Sequence, residues 1–229
     1  MRSRIDAVAF DIDGTLYPDP SLFVRLIPFV LRRGLWLAQF GRVRAEMRIW
    51  QEEHPGQTRS DFFEWQAGLL AKRTGRTPEE ERERLDSLVY RGWQPVFSRV
   101  PLFPHVRECF LALKKDGLKL GLLSDFLPEQ KGDVWGLAPL CEAVLGSENS
   151  GALKPSAAPF ADLSKALGVP ANRILYVGNS VRSDVRGASN AGMLTACIVS
   201  PLAWLLGKRI PEADISFYSY RQLERFVLE

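Results

Sequence analysis

The sequence predicts an α/β protein: a doubly wound parallel-sheet core with a helical cap inserted after the first strand. Three observations lead there. Short apolar runs alternate with helical patterns over most of the chain, which is the signature of βαβ units and a sheet covered on both faces. One long stretch near the N-terminus breaks that alternation with helical patterns alone. And 229 residues, 46% of them hydrophobic and 25% charged, suffice for a core with a smaller insert.

The first strand is expected at "AVAF" (7–10). From about Pro18 to Arg99 the chain is rich in Arg, Glu, Leu and Trp with no strand pattern, and helix breaks are expected near Gly34, Gly41, His54-Pro55-Gly56 and Gly75. Proline-bearing junctions flank it, "YPDP" (17–20) and "VPLFP" (100–104), as hinge candidates. Residues 1–17 and 101–229 are therefore assigned to the core and 18–100 to the cap. Further strands are expected at "LKLGLL" (118–123), "AVLG" (143–146), "ILYV" (174–177) and "TACIVS" (195–200). Between them "VRECFLALKKDG" and "APFADLSKALG" read as helices closing on a Gly.

Bulk properties remove several functions. The net charge of +3, from 30 basic and 27 acidic residues, gives no reason to expect a nucleic-acid partner. Cys109, Cys141 and Cys197 are odd in number and widely spaced without a CxxC pattern, so reduced thiols and a cytoplasmic location are expected. "MRSRIDAVAF" is basic, but Asp11 cuts its apolar run too short for a signal peptide. "LFVRLIPFVLRRGLWLAQF" is interrupted by Arg25, Arg32 and Arg33 and makes a poor membrane span. That region and "SPLAWLLGKRI" (200–210) read either as packed apolar surface or as interfacial helices. Membrane association is not expected, and the oligomeric state is left open.

In a parallel α/β sheet, ligands bind beyond the carboxyl ends of the strands, so the residues just past each strand are the ones that matter. "DIDGTLYP" places Asp11 and Asp13 two apart, where an extended chain points both the same way, and then Gly14 and Thr15. Ser124 and Asp125 come after the second strand, "GALKP" brings Lys154, and "GNSVRSDVRGA" brings Asn179 and Asp184. Singly, each has a plainer role. DxDG makes turns, Ser-Asp caps helices, a loop Lys is solvated, and an Asp favours a helix's first turn. In this order, each at a strand's end, they form one site.

"DIDGT", "LLSD", "LKP" and "GNSVRSDVRGA" resemble the four ordered motifs of the haloacid-dehalogenase-like (HAD) hydrolase superfamily, over residues 5–20 and about 102–200. The helical insert is similar to that superfamily's C1-type cap in position and helical character. The resemblance implies a Rossmann-like core and a phosphatase. Asp11 would be the nucleophile that forms an aspartyl-phosphate, and Asp13 the general acid and base. Gly14, Thr15 and Ser124 would bind phosphoryl oxygens. Lys154 would bind phosphate and hold Asp11 ionised.

Mg²⁺ is the implied cofactor, on Asp11, the backbone carbonyl of Asp13, Asn179 and Asp184. Asn179 stands where the family usually has Asp, which implies weaker Mg²⁺ binding. Asp125 reads a substrate hydroxyl or caps the segment after it. The cap's Trp and Arg residues read as a small core with a charged outer face, or as a lid meeting an acidic substrate. The expected function is Mg-dependent hydrolysis of a small phosphorylated metabolite. Asp13 and the metal-type last motif favour phosphoryl transfer over dehalogenation. Phosphomutase or other HAD chemistry, and a catalytically weak phosphate- or partner-binding protein, are the alternatives.

Overall fold

In a computed structural model that describes residues 4–229, β1 (Ala7–Phe10) is buried at every position, as a central strand of a parallel sheet must be. Residues 1–3, part of the basic N-terminal stretch and of the expected core, lie outside the described residues. The chain then enters α1 (Asp19–Glu53), α2 (Phe62–Thr74), α3 (Pro78–Leu85) and the short α4 (Gln94–Phe97). No strand interrupts them. Thr77 and Glu80 form a reciprocal capping box at the start of α3, and Gly75 closes α2 in the left-handed conformation.

The core resumes with α5 (Val106–Lys115), β2 (Lys119–Ser124), β3 (Ala143–Gly146), α6 (Ala157–Leu167) and β4 (Ile174–Gly178). It ends with α7 (Gly187–Asn190), β5 (Leu194–Ile198), α8 (Pro201–Leu205), β6 (Ile215–Phe217) and α9 (Tyr220–Leu228). The six strands are all parallel in the order β3-β2-β1-β4-β5-β6. β1 thus sits between β2 and β4, with Ala7 level with both Lys119 and Ile174.

Alternate side chains of β1 feed two apolar layers. Val8 and Phe10 join Phe110 of α5 and Tyr220 of α9, and Ala7 and Ala9 join Phe160 and Leu163 of α6. The inserted helices have a core of their own, built on Trp36, Phe40, Val43 and Met47 of α1 with Phe62, Leu70 and Leu85.

Two departures from expectation have physical reasons. β6 and the α9 that follows it go undetected; for β6 the reason is that "ISF" is only three residues long, too short for a period to show. The breaks expected at Gly34 and Gly41 do not occur: α1 runs helically through both and through Pro28 for 35 residues. A straight helix would hold Asp19 and Glu52 roughly 50 Å apart. Both ends reach one loop, Asp19 against Asn179 and Glu52 paired with Arg182, which limits that separation to under about 40 Å. α1 therefore bends into an elbow. Pro28, which lacks an amide hydrogen and crowds the turn before it, and Gly34 are the residues that favour a bend there.

Candidate active site

The carboxyl ends of β1, β2 and β4 and the loop after β3 converge on a cavity of about 180 Å³. Asp11, Asp13, Lys154, Asn179 and Asp184 all line it, with Asp125 and Phe126 on its rim. β1 hands over directly to Asp11, whose amide continues the sheet ladder to Val177 O at 2.9 Å. The turn behind it is fixed by the Tyr220 hydroxyl, which donates to Thr15 O at 2.7 Å.

Lys154 is the hub of the acidic side. Its Nζ donates to Asp11 Oδ1 at 2.6 Å, Asp184 Oδ1 at 2.7 Å and the Tyr176 hydroxyl at 3.1 Å. Burial works against its charge, but Asp11 and Asp184 outweigh that and hold the ammonium. Burial, with Asp184 and Asp13 nearby, pushes the Asp11 carboxyl up, and Lys154 pulls it back. The carboxylates outnumber the cations here, which leaves the site short of positive charge.

Asp13 faces a different set of groups. Tyr17 donates to its Oδ1 at 2.5 Å and Ser124 to its Oδ2 at 2.9 Å, with Lys131 Nζ 3.2 Å from Oδ2. Burial first, then the charge of Asp13, keeps the Tyr17 hydroxyl protonated and a donor. Two expected phosphate ligands therefore have other partners: Ser124 binds Asp13, and the Thr15 hydroxyl donates to Asp11 Oδ2 at 2.9 Å. Gly14 lies beside them with φ +78°. A Cβ there would fall 2.1 Å from Asn179 Nδ2, so glycine alone permits this approach.

Asp184 is buried with both oxygens engaged: Oδ1 by Lys154, and Oδ2 by the amides of Asn179 at 3.1 Å and Ser180 at 2.9 Å. This geometry makes it an anchor for the loop after β4 and for Lys154. Asn179 presents Oδ1 to the Thr15 hydroxyl at 3.4 Å and Nδ2 to Asp19 Oδ2 at 3.5 Å. Asp125 takes the local role. It accepts from the Lys154 amide at 3.0 Å and Ser147 Oγ at 2.9 Å, and pairs with Arg48 of α1 at 2.6 Å.

Among the described residues no group of three or more His, Cys, Asp and Glu side chains converges as a metal cluster. The cavity's other candidate oxygens are those of Asp11, which accept from Lys154 and Thr15, the Asp13 carbonyl and the Asn179 amide. That set suits a hard divalent ion that keeps several waters and takes substrate phosphate as a ligand, and it fits such an ion with few protein charges.

Four residues of the site carry no sequence motif. Tyr17 and Tyr176 look like ordinary strand or turn aromatics. Lys131 arrives from a short turn (Pro128–Lys131) after β2, and Asp19 from the first turn of α1. Only the folded chain brings them near Asp11.

The family model described as haloacid dehalogenase-like hydrolase matches residues 5–192. Glyceraldehyde 3-phosphate phosphatase from Methanopyrus kandleri is 28% identical over 202 residues, covering 85% of this chain and 84% of that protein. Phosphoglycolate phosphatase from Salmonella typhimurium is 26% identical and covers 96% of this chain and 91% of its own. In structure, L-2-haloacid dehalogenase from Xanthobacter autotrophicus superposes with a TM-score of 0.66 at 22% identity, over 97% of this chain and 98% of that one. An HAD phosphatase from Thermococcus onnurineus does so with a TM-score of 0.62 at 20% identity, over 98% of both.

Proposed function

Because the chain belongs to the haloacid dehalogenase-like hydrolase family, we propose that it hydrolyses small phosphomonoesters through an aspartyl-phosphate, with Mg²⁺ as cofactor. One observation carries the reading: a second carboxylate, Asp13, lines the same cavity as Asp11. A departing halide needs no proton, whereas a departing alkoxide does, so an acid beside the nucleophile belongs to ester cleavage. Relatives named for glyceraldehyde 3-phosphate and for phosphoglycolate support a small metabolite, as does the modest cavity.

Asp11 attacks phosphorus while Asp13 gives its proton to the leaving oxygen. Asp13 then takes a proton from the water that opens the acyl phosphate, which restores Asp11. Tyr17, Ser124 and Lys131 hold Asp13 in place. Lys154 offsets charge on Asp11 and on the phosphoryl group, and Asp184 fixes Lys154. Asp11, the Asp13 carbonyl and Asn179 would hold Mg²⁺, with Asp184 behind them. The ion, when bound, supplies positive charge to the phosphoryl oxygens. The free thiols support a reducing, cytoplasmic setting.

The test is release of phosphate from an aryl phosphate with Mg²⁺, then from a panel of phosphorylated metabolites. Wild type should turn over, lose activity to a chelator and regain it with Mg²⁺. Asp11→Asn should lose at least ~10³-fold in kcat. Equal turnover by the two proteins would overturn the assignment.

A further inference from the structure

Much of the two apolar stretches singled out in the sequence stays outside the core: of the first only Leu22, Leu26, Trp36 and Phe40 are buried, and of α8 none. On the first leg and elbow of α1, Phe23 is 64%, Leu31 82% and Leu35 89% exposed, with Val24, Ile27 and Val30 also outward. On and just after α8, Leu205 is 81% exposed, beside Leu202 and Leu206. Among the described residues, nine of the thirteen exposed large apolar side chains thus fall on these two segments. Scattered exposed leucines are ordinary, but such a concentration is a docking surface. The starts of the two helices line one cavity of about 540 Å³, through Pro18, Asp19 and Pro20 and through Ser200 and Pro201.

Charge identifies the partner. From Pro20 to Ala45 the chain has no Asp or Glu and five arginines, of which Arg25, Arg32, Arg33 and Arg42 are exposed. Lys208 and Arg209 come after α8, with the Arg209 guanidinium stacked over Trp204. We propose that this face docks on an anionic lipid surface. No helix of the described chain is long and apolar enough to cross a membrane, so the elbow and α8 lie in the interface. Acyl chains receive the leucines, and headgroup phosphates receive the arginines, whose long stems reach past the apolar face. A second copy fits less well. A two-fold contact of this segment on itself would offer no carboxylate between residues 20 and 45 to receive Arg25, Arg32 and Arg33.

The experiment is flotation of the full chain with phosphatidylcholine vesicles and with vesicles containing equal parts phosphatidylglycerol, beside light scattering without lipid. Binding should rise at least ~10-fold with the anionic lipid and fall with added salt. Leu31→Glu/Leu35→Glu should abolish it, and Arg25→Gln/Arg32→Gln/Arg33→Gln should weaken it on anionic vesicles alone. Both variants should keep wild-type aryl phosphate turnover, which shows that they fold. Absence of flotation, or equal binding by Leu31→Glu/Leu35→Glu, overturns the proposal. So does a lipid-free dimer that this variant makes monomeric, which would assign the face to a second copy.

Discussion

At Asn179 one atom separates an amide from a carboxylic acid. Its Nδ2 faces Asp19 Oδ2, so the uncharged residue accommodates a carboxylate brought by the cap helix. Burial and then Asp13 already raise the Asp19 carboxyl. Asn179→Asp adds an anionic ligand toward the cavity and sets it against Asp19. The half-saturating Mg²⁺ concentration for turnover should fall, roughly tenfold for one added ligand charge, and an unchanged value would refute the role given to Asn179. At this scale the sequence was partly legible. Asp11, Asp13, Lys154 and Asp184 meet as their strand-end positions require. The hydroxyls of Thr15 and Ser124 bind carboxylates instead, because short polar side chains take the nearest strong acceptor. Tyr17 and Lys131 join Ser124 on Asp13, an approach that no local pattern records.

Among the elements, α1 joins the cap to the core by ties of unequal kind. Arg44, expected as outer-face charge or substrate contact, is buried against Glu148, to which Tyr90 also donates at 3.0 Å. Removing one partner of a buried pair leaves the other charge uncompensated. Arg44→Ala should therefore cost about 3–5 kcal/mol of stability, measured by denaturant unfolding. Asp125 is the second tie. Burial alone would raise its carboxyl, but Arg48, Lys154 and Arg44 outweigh burial and hold it well below the usual carboxylate range. A depressed carboxyl stabilises above its unfolded value, near pH ~4, and the gain disappears as pH falls through the folded value. The melting temperature of wild type should exceed that of Asp125→Asn at neutral pH, and the difference should shrink in acid. A constant difference across pH would remove the electrostatic account. The elbow in α1 was not legible, since Gly34 and Gly41 read from sequence as ends, whereas tertiary packing carries the helix through them.

For the whole molecule, the alternation of apolar runs and helical patterns was enough to give a parallel α/β sheet with an insert after its first strand, and the short last strand and the helix after it were lost. What alternation cannot give is lateral order, because strands that pair are far apart along the chain. That order has a kinetic consequence. β1, the first strand made, pairs with β2 and β4, whose partner residues to Ala7 are Lys119 and Ile174. The strand that leads into Asp11, the proposed nucleophile, can settle only after two long loops have closed, while the inserted helices meet near neighbours. On dilution from denaturant, far-ultraviolet helical signal should recover before phosphatase activity. Coincident recovery would show that the central strand docks early. The residue proposed to do the chemistry is thus among the first synthesised and the last to be set in place.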